Sequence, residues 1–196
     1  MMERLRISSE QTRTILKDGT EVVAQKIETP RPIPGSTAHH EAAHVVASGE
    51  IVEATIIPHG DALGSARPVR MTAASAAAAG AMGHGGTGWD RFITENYLGV
   101  DWGTAKSAAR AALSGKEDLM KEVAIVLEQE GTIGQYHVEE AKKRVSEKKQ
   151  GIYPMKLEIY RSGRRVESIT TKSYHGEVVI SHLPTVSESG ARDKIK

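Results

Sequence analysis

Pro30, Pro32 and Pro34, with Gly35 behind them, divide this chain. Each proline fixes φ and removes a backbone donor, so neither a helix nor a central strand runs through this point. Before it the pattern is strand-like. Thr14-Ile15-Leu16-Lys17, then Asp18-Gly19, then Thr20-Glu21-Val22-Val23 predicts a β-hairpin, because Asp-Gly suits a two-residue turn. Beyond it, residues 36–150 read mainly as helices. After Gly151 the strand pattern returns: residues 155–161, a turn at Ser162-Gly163, then residues 164–171 and 177–182 give two hairpins. Ile15-Leu16-Lys17-Asp18-Gly19 with Val22 is echoed by Ile159-Tyr160-Arg161-Ser162-Gly163 with Val166. Any two hairpins share such a pattern, and that reading is preferred to one in which the two flanks form a single small sheet. The expected class is α+β, a mainly helical core with short flanking β-hairpins. Its segments are a β segment and linker at 1–35, a helical domain at 36–150, hairpins at 151–184 and a disordered polar tail at 185–196.

Within the helical segment, Ser36 or Thr37 can cap a helix that runs to Ser48 and stops at Gly49. Residues 51–58 are β-branched and bounded by Pro58 and Gly60, which predicts a strand. A helix follows over 72–82, then a loop at Gly83-His84-Gly85-Gly86-Thr87-Gly88, then a helix over 101–113. Ser114-x-x-Glu117 has the form of a capping box opening the next helix, which places Leu119, Val123, Val126 and Leu127 on one face. A last helix over 136–149 buries Val138, Ala141 and Val145.

The first of these helices carries His40-Glu41-Ala42-Ala43-His44. Residues four apart share a helix face, so both imidazoles can present a nitrogen to one metal ion at about 2.0–2.1 Å. Glu41 then stands beside the ion, where it can take a proton from the attacking water and pass it to a leaving amine. The chain contains no cysteine, so the remaining ligand must be another imidazole or a carboxylate. A longer HExxH pattern would place Gly at 47 and His at 50, but Ala47 and Glu50 stand there. The third ligand therefore comes from further along, with His59, His84, Glu95 and Asp101 as candidates.

Residues 36–64 resemble the start of the peptidase domain of the FtsH-type, membrane-anchored AAA proteases. The matching residues are Thr37-Ala38-His39-His40-Glu41-Ala42-Ala43-His44, Thr55-Ile56-Ile57-Pro58-His59-Gly60 and Ala62-Leu63-Gly64. More loosely, the likeness extends through the small-residue helix at 73–82 and the closing helices to residue 145. It implies a zinc peptidase whose third ligand is Asp101, since Gly99-Val100-Asp101 with Ala105 matches the family's ligand segment. Asp101 is otherwise a helix N-cap. The resemblance also implies that substrate pairs as an added strand along residues 54–58. The chain departs from the family in lacking an ATPase module, a phosphate loop and membrane helices; Ala43 replaces the usual Gly, and the second helix lacks the paired Glu. The group that stabilises the oxyanion is unassigned, with Tyr97 near enough in sequence to test.

These residues make a zinc-dependent endopeptidase of unfolded or flexible polypeptides the expected function, ATP-independent in the isolated chain. The alternative is a non-catalytic, zinc-stabilised binding or regulatory protein, against which Glu41 argues, since a structural site does not need it. A formal net charge of +1 gives no field to draw nucleic acid or an acidic membrane. The basic run Lys142-Lys143-Arg144 and the pair Lys148-Lys149 lie late in a helix, where they suit its dipole. No stretch approaches the roughly 18 apolar residues of a membrane span, and residues 1–10 are too polar for a secretory leader. A cytoplasmic location is expected, with the β flanks available for self-assembly or a partner protein.

Overall fold

The computed structural model describes residues 3–6, 11–28 and 30–180. The expected tail at 185–196 and the end of the expected strand at 177–182 lie outside them. Among the described residues the elements run β1 (Glu3–Arg6), β2 (Gln11–Ile15), β3 (Glu21–Lys26), α1 (Thr37–Ser48), β4 (Ile51–Thr55), β5 (Ser65–Pro68), α2 (Ala73–Ala76), α3 (Ala78–Ala81) and α4 (Gly88–Phe92). A π-helical turn (Ile93–Tyr97) leads to α5 (Trp102–Leu113), α6 (Glu117–Glu130), β6 (Thr132–Ile133) and α7 (Gln135–Lys149), then β7 (Ile152–Arg161), β8 (Arg164–Tyr174) and β9 (Glu177–Ile180). No helix among them is long and apolar enough to cross a membrane. The described residues form two compact units, one made of those within 29–147 and the other of those within 1–28 and 148–180.

The second of these corrects the expected fold. The chain is α+β with 42% helix and 29% strand, so it is not mainly helical, and its flanks are not short separate hairpins. They form one antiparallel sheet in the order β1-β9-β8-β7-β3-β2. The seam is the pairing of β3 with β7, from Glu21 opposite Tyr160 to Lys26 opposite Met155. The echo between the flanks thus lies in adjacent strands: the reading set aside is the one the fold adopts. Alternation drives it, since Met155, Leu157 and Ile159 of β7 are buried on one face, where Met155 and Leu157 cluster with Leu16, Val22, Ala24 and Val178.

Turn chemistry sets the register of this sheet. Ser162-Gly163 and His175-Gly176 are two-residue turns with positive φ at both positions, the form that matches strand twist. The Asp18-Gly19 turn is wider than expected. Leu16 N–H donates to the Thr20 carbonyl at 2.8 Å and Gly19 N–H to the Leu16 carbonyl at 3.0 Å, so the loop is Lys17-Asp18-Gly19. Gly19, at φ 79°, takes the left-handed position such a loop requires. Asp18 Oδ1 accepts from Thr20 N–H at 2.9 Å, which lowers its carboxyl pKa.

The other unit packs helices over a small sheet, β5-β4-β6. α1 behaves as its sequence predicts: Ser36 accepts from His39 N–H, and Gly49 ends the helix at φ 78°. Its inner face, Ala38, Ala42, Val45 and Val46, packs with Val123, Ala124 and Leu127 of α6 and with Ile133 and Val138. Several details differ from expectation. The strand expected over 51–58 ends at Thr55. The helix over 72–82 breaks at Ala77 into α2 and α3. Ser114 closes α5 and does not cap α6, and Glu117 accepts from Gly115 N–H at 3.3 Å. Residues 88–97, for which no helix was expected although Trp89, Phe92, Ile93 and Tyr97 fall at helical spacing, form α4 and the π-helical turn.

Candidate metal centre

α1 places His40 and His44 one turn apart, as the motif requires, with their Nε2 atoms 3.1 Å from each other. Asp90, in the first turn of α4, brings its Oδ2 to 3.3 Å from His40 Nε2 and 3.5 Å from His44 Nε2. These three residues form a group that could hold a metal ion. Ligands about 2.0–2.1 Å from a tetrahedrally bound ion stand roughly 3.3–3.4 Å from one another. The three observed separations bracket that spacing.

The outer shell orients the donors. His40 Nδ1–H donates to the Gly85 carbonyl at 3.0 Å, and His44 Nδ1–H donates to the Ser75 carbonyl at 2.7 Å. A carbonyl only accepts, so both Nδ1 atoms carry protons and both Nε2 atoms face the centre, the tautomer metal binding requires. The Ser75 carbonyl is held by the capping box of α2, in which Ser75 and Thr72 exchange hydrogen bonds, just before the break at Ala77. The Gly85 carbonyl comes from the glycine-rich loop. Asp90 Oδ2 is buried with no hydrogen-bond donor of its own. Such an atom is costly unless a cation or proton meets it.

The electrostatics agree with a site that collects positive charge. Burial acts to raise the Asp90 carboxyl, but the facing imidazoles overturn this and hold it down to about 2. Burial acts against a charge on His44, yet Asp90 leaves that ring's pKa raised. Glu41, 5% exposed, is raised chiefly by burial, with the two imidazoles opposing and Asp90 reinforcing. It lines, with His40, His44 and Asp90, an open cleft of about 700 Å³. Gly64 leaves the room Glu41 needs: a Cβ there would stand 3.0 Å from Glu41 Oε1 and 2.8 Å from the Thr55 carbonyl oxygen.

The expected third ligand, Asp101, takes no part in this group. It caps α5, its Oδ2 accepting from Thr104 N–H at 2.9 Å and from the Thr104 hydroxyl at 3.2 Å, which lowers its pKa. Asp90 is the carboxylate that stands with His40 and His44. A signal for Asp90 exists in the chain, since Gly88-Trp89-Asp90 followed by Thr94 repeats the form of Gly99-Val100-Asp101 followed by Ala105. Of the other candidates, Glu95 pairs with Arg91 at 3.1 Å, and His59 is exposed on a turn bridged to Ala62. His84 lines the cleft outside the ligand group, its pKa lowered first by burial and then by His39, His40 and His44. Tyr97 is 73% exposed and does not line the cleft.

No family model, curated protein or solved structure matches the chain. The sequence therefore reaches a centre of two imidazoles and a carboxylate, fit for a metal ion, with a buried glutamate beside it.

Proposed function

We propose that this chain is a zinc-dependent endopeptidase of unfolded or flexible polypeptides, in which His40, His44 and Asp90 hold the ion and Glu41 is the general base. One observation carries this reading: three ligand atoms spaced for a single ion, two of them on the helix that also buries Glu41 and the third, from Asp90, on α4. A bound zinc ion supplies a Lewis acid for the amide carbonyl and brings the pKa of water towards ~7. Glu41 takes the water's proton and delivers it to the leaving amine. Its raised pKa suits a group that must hold that proton briefly. The Nδ1 hydrogen bonds to Gly85 and Ser75 keep both imidazoles turned to the ion throughout.

Of residues 54–58, along which the family resemblance implied substrate pairing, only Ala54 and Thr55 lie in β4. β4 is already paired on both sides, with β5 and β6. Among the described residues β5 and β6 are the outer strands, and Ser65, Ala66 and Pro68 of β5 line the cleft. An extended polypeptide added along β5 would therefore run past the ligands.

Metal analysis of the purified chain, with cleavage of an unfolded protein substrate, tests the reading. One zinc per chain is expected, and Glu41→Gln keeps it while losing cleavage by on the order of 10²–10⁴-fold. Zinc-loaded protein that leaves unfolded chains intact overturns the enzyme reading in favour of a zinc-stabilised binding protein. Iron in place of zinc, which two imidazoles and a carboxylate also suit, overturns it as well.

A further inference from the structure

Hydrolysis as proposed leaves the negative charge that develops on the amide oxygen with one partner, the ion. Electrostatic help at that atom is among the largest single contributions to acyl-transfer catalysis, and it requires a donor fixed in advance. We propose that His84 donates a ring N–H to the scissile carbonyl oxygen as it gains negative charge. The proposal rests on the metallopeptidase reading above.

His84 is half-buried in the wall of the cleft that His40, Glu41 and Asp90 share. Its ring centroid lies 6.4 Å from that of His40 and 5.5 Å from that of His39. It lines the cleft without joining the ligand group, so it is free to face a bound carbonyl. The backbone on each side of it is pinned. His84 N–H donates to the Ala79 carbonyl at 3.0 Å, and the next carbonyl, of Gly85, takes the proton of His40 Nδ1. The same short segment therefore orients a metal ligand and carries the imidazole.

Three hydroxyl donors of the cleft are committed elsewhere. The Ser36 hydroxyl donates to Glu128, the Ser48 hydroxyl to the His44 carbonyl and the Ser75 hydroxyl to the Thr72 carbonyl. Tyr97 packs its ring edge-on against Phe92 away from the cleft lining. An imidazole carries an N–H donor in both its neutral and its charged form, so His84 can serve the oxyanion in either.

Two variants and two readouts test this. In zinc-loaded protein His84→Ala lowers kcat by on the order of 10²-fold with KM and zinc content little changed, and His84→Gln, which keeps an N–H donor, recovers part of the loss. An N-phosphoryl-leucyl dipeptide, whose tetrahedral phosphoryl oxygens mimic the oxyanion, binds His84→Ala about tenfold more weakly than wild type, as loss of a charge-assisted hydrogen bond requires. Unchanged kcat and unchanged phosphoryl affinity in His84→Ala overturn the proposal. So does loss of bound zinc in that variant, which would make His84 a ligand. Wild-type protein that holds zinc but neither cleaves an unfolded chain nor binds the phosphoryl dipeptide overturns the peptidase reading itself.

Discussion

Asp90 and Asp101 carry the same carboxylate and meet different partners. Asp90 faces two imidazoles in a half-closed cleft, whereas Asp101 spends its Oδ2 on the first turn of α5. Substitution should separate them. Asp90→Ala is expected to weaken zinc binding by more than the roughly 10–100-fold typical of an outer-shell residue. Asp101→Ala should leave zinc binding unchanged and cost about 1 kcal/mol in stability through the lost cap. Zinc titration and thermal unfolding of the two variants give both numbers, and equal zinc affinities would sink the assignment of Asp90. His40, Glu41 and His44 were legible in the chain because one helical turn sets their geometry. The third ligand was not. Gly-x-Asp with a small residue four positions on occurs twice, and only the packing of α4 against the cleft decides between the copies.

At the level of elements, the helix that presents the ligands depends on a turn that never touches the ion. Gly64 lies between β4 and β5, and a Cβ there would come within 2.6 Å of Thr37 Cγ2 as well as meeting the Thr55 carbonyl and Glu41. Gly64→Ala is expected to cost about 1–3 kcal/mol by overpacking. It should also reduce cleavage with zinc retained, because Glu41 must move while the imidazoles need not. Denaturant unfolding with metal analysis checks this; a fully active, equally stable variant would show that the approach of β4 and β5 to α1 is not what seats Glu41. α1 itself could be read from Ser36 and Gly49, where local capping agrees with the fold. The capping box at Ser114 could not, because Gly115, at φ 72°, turns the chain between the two helices and leaves Ser114 closing the first.

At the scale of the whole chain, among the described residues, the six-stranded sheet has a core of its own, and the other unit has one around α1 and α6 with a smaller alanine cluster between α3 and α5. Leu157, 2% exposed, belongs to the sheet. Leu157→Ala should cost that unit about 2–5 kcal/mol, while zinc content stays at the wild-type value because every ligand lies in the other unit. Calorimetry with metal analysis tests it, and zinc lost from the folded variant would contradict it. Metal removal probes the other core. At a free zinc concentration about 100 times Kd the ion adds roughly 2.7 kcal/mol, so a chelator should lower the melting transition of the unit holding the ligands. Unchanged melting on chelation would mean that the ligands hold no ion in the folded protein. Strand patterns on both flanks were visible in the chain, but their union was not, since alternation names a buried face without naming the neighbour.

The seam between β3 and β7 has a consequence for the order in which the protein can be made. Lys26 leaves the ribosome early, and its partner Met155 emerges only after the whole unit that carries His40, His44 and Asp90 has been translated. Until then the nascent hairpin of β2 and β3 has one edge without its native neighbour. Folding of the intervening unit shortens the effective loop that must close, so the last strands synthesised complete a sheet begun by the first.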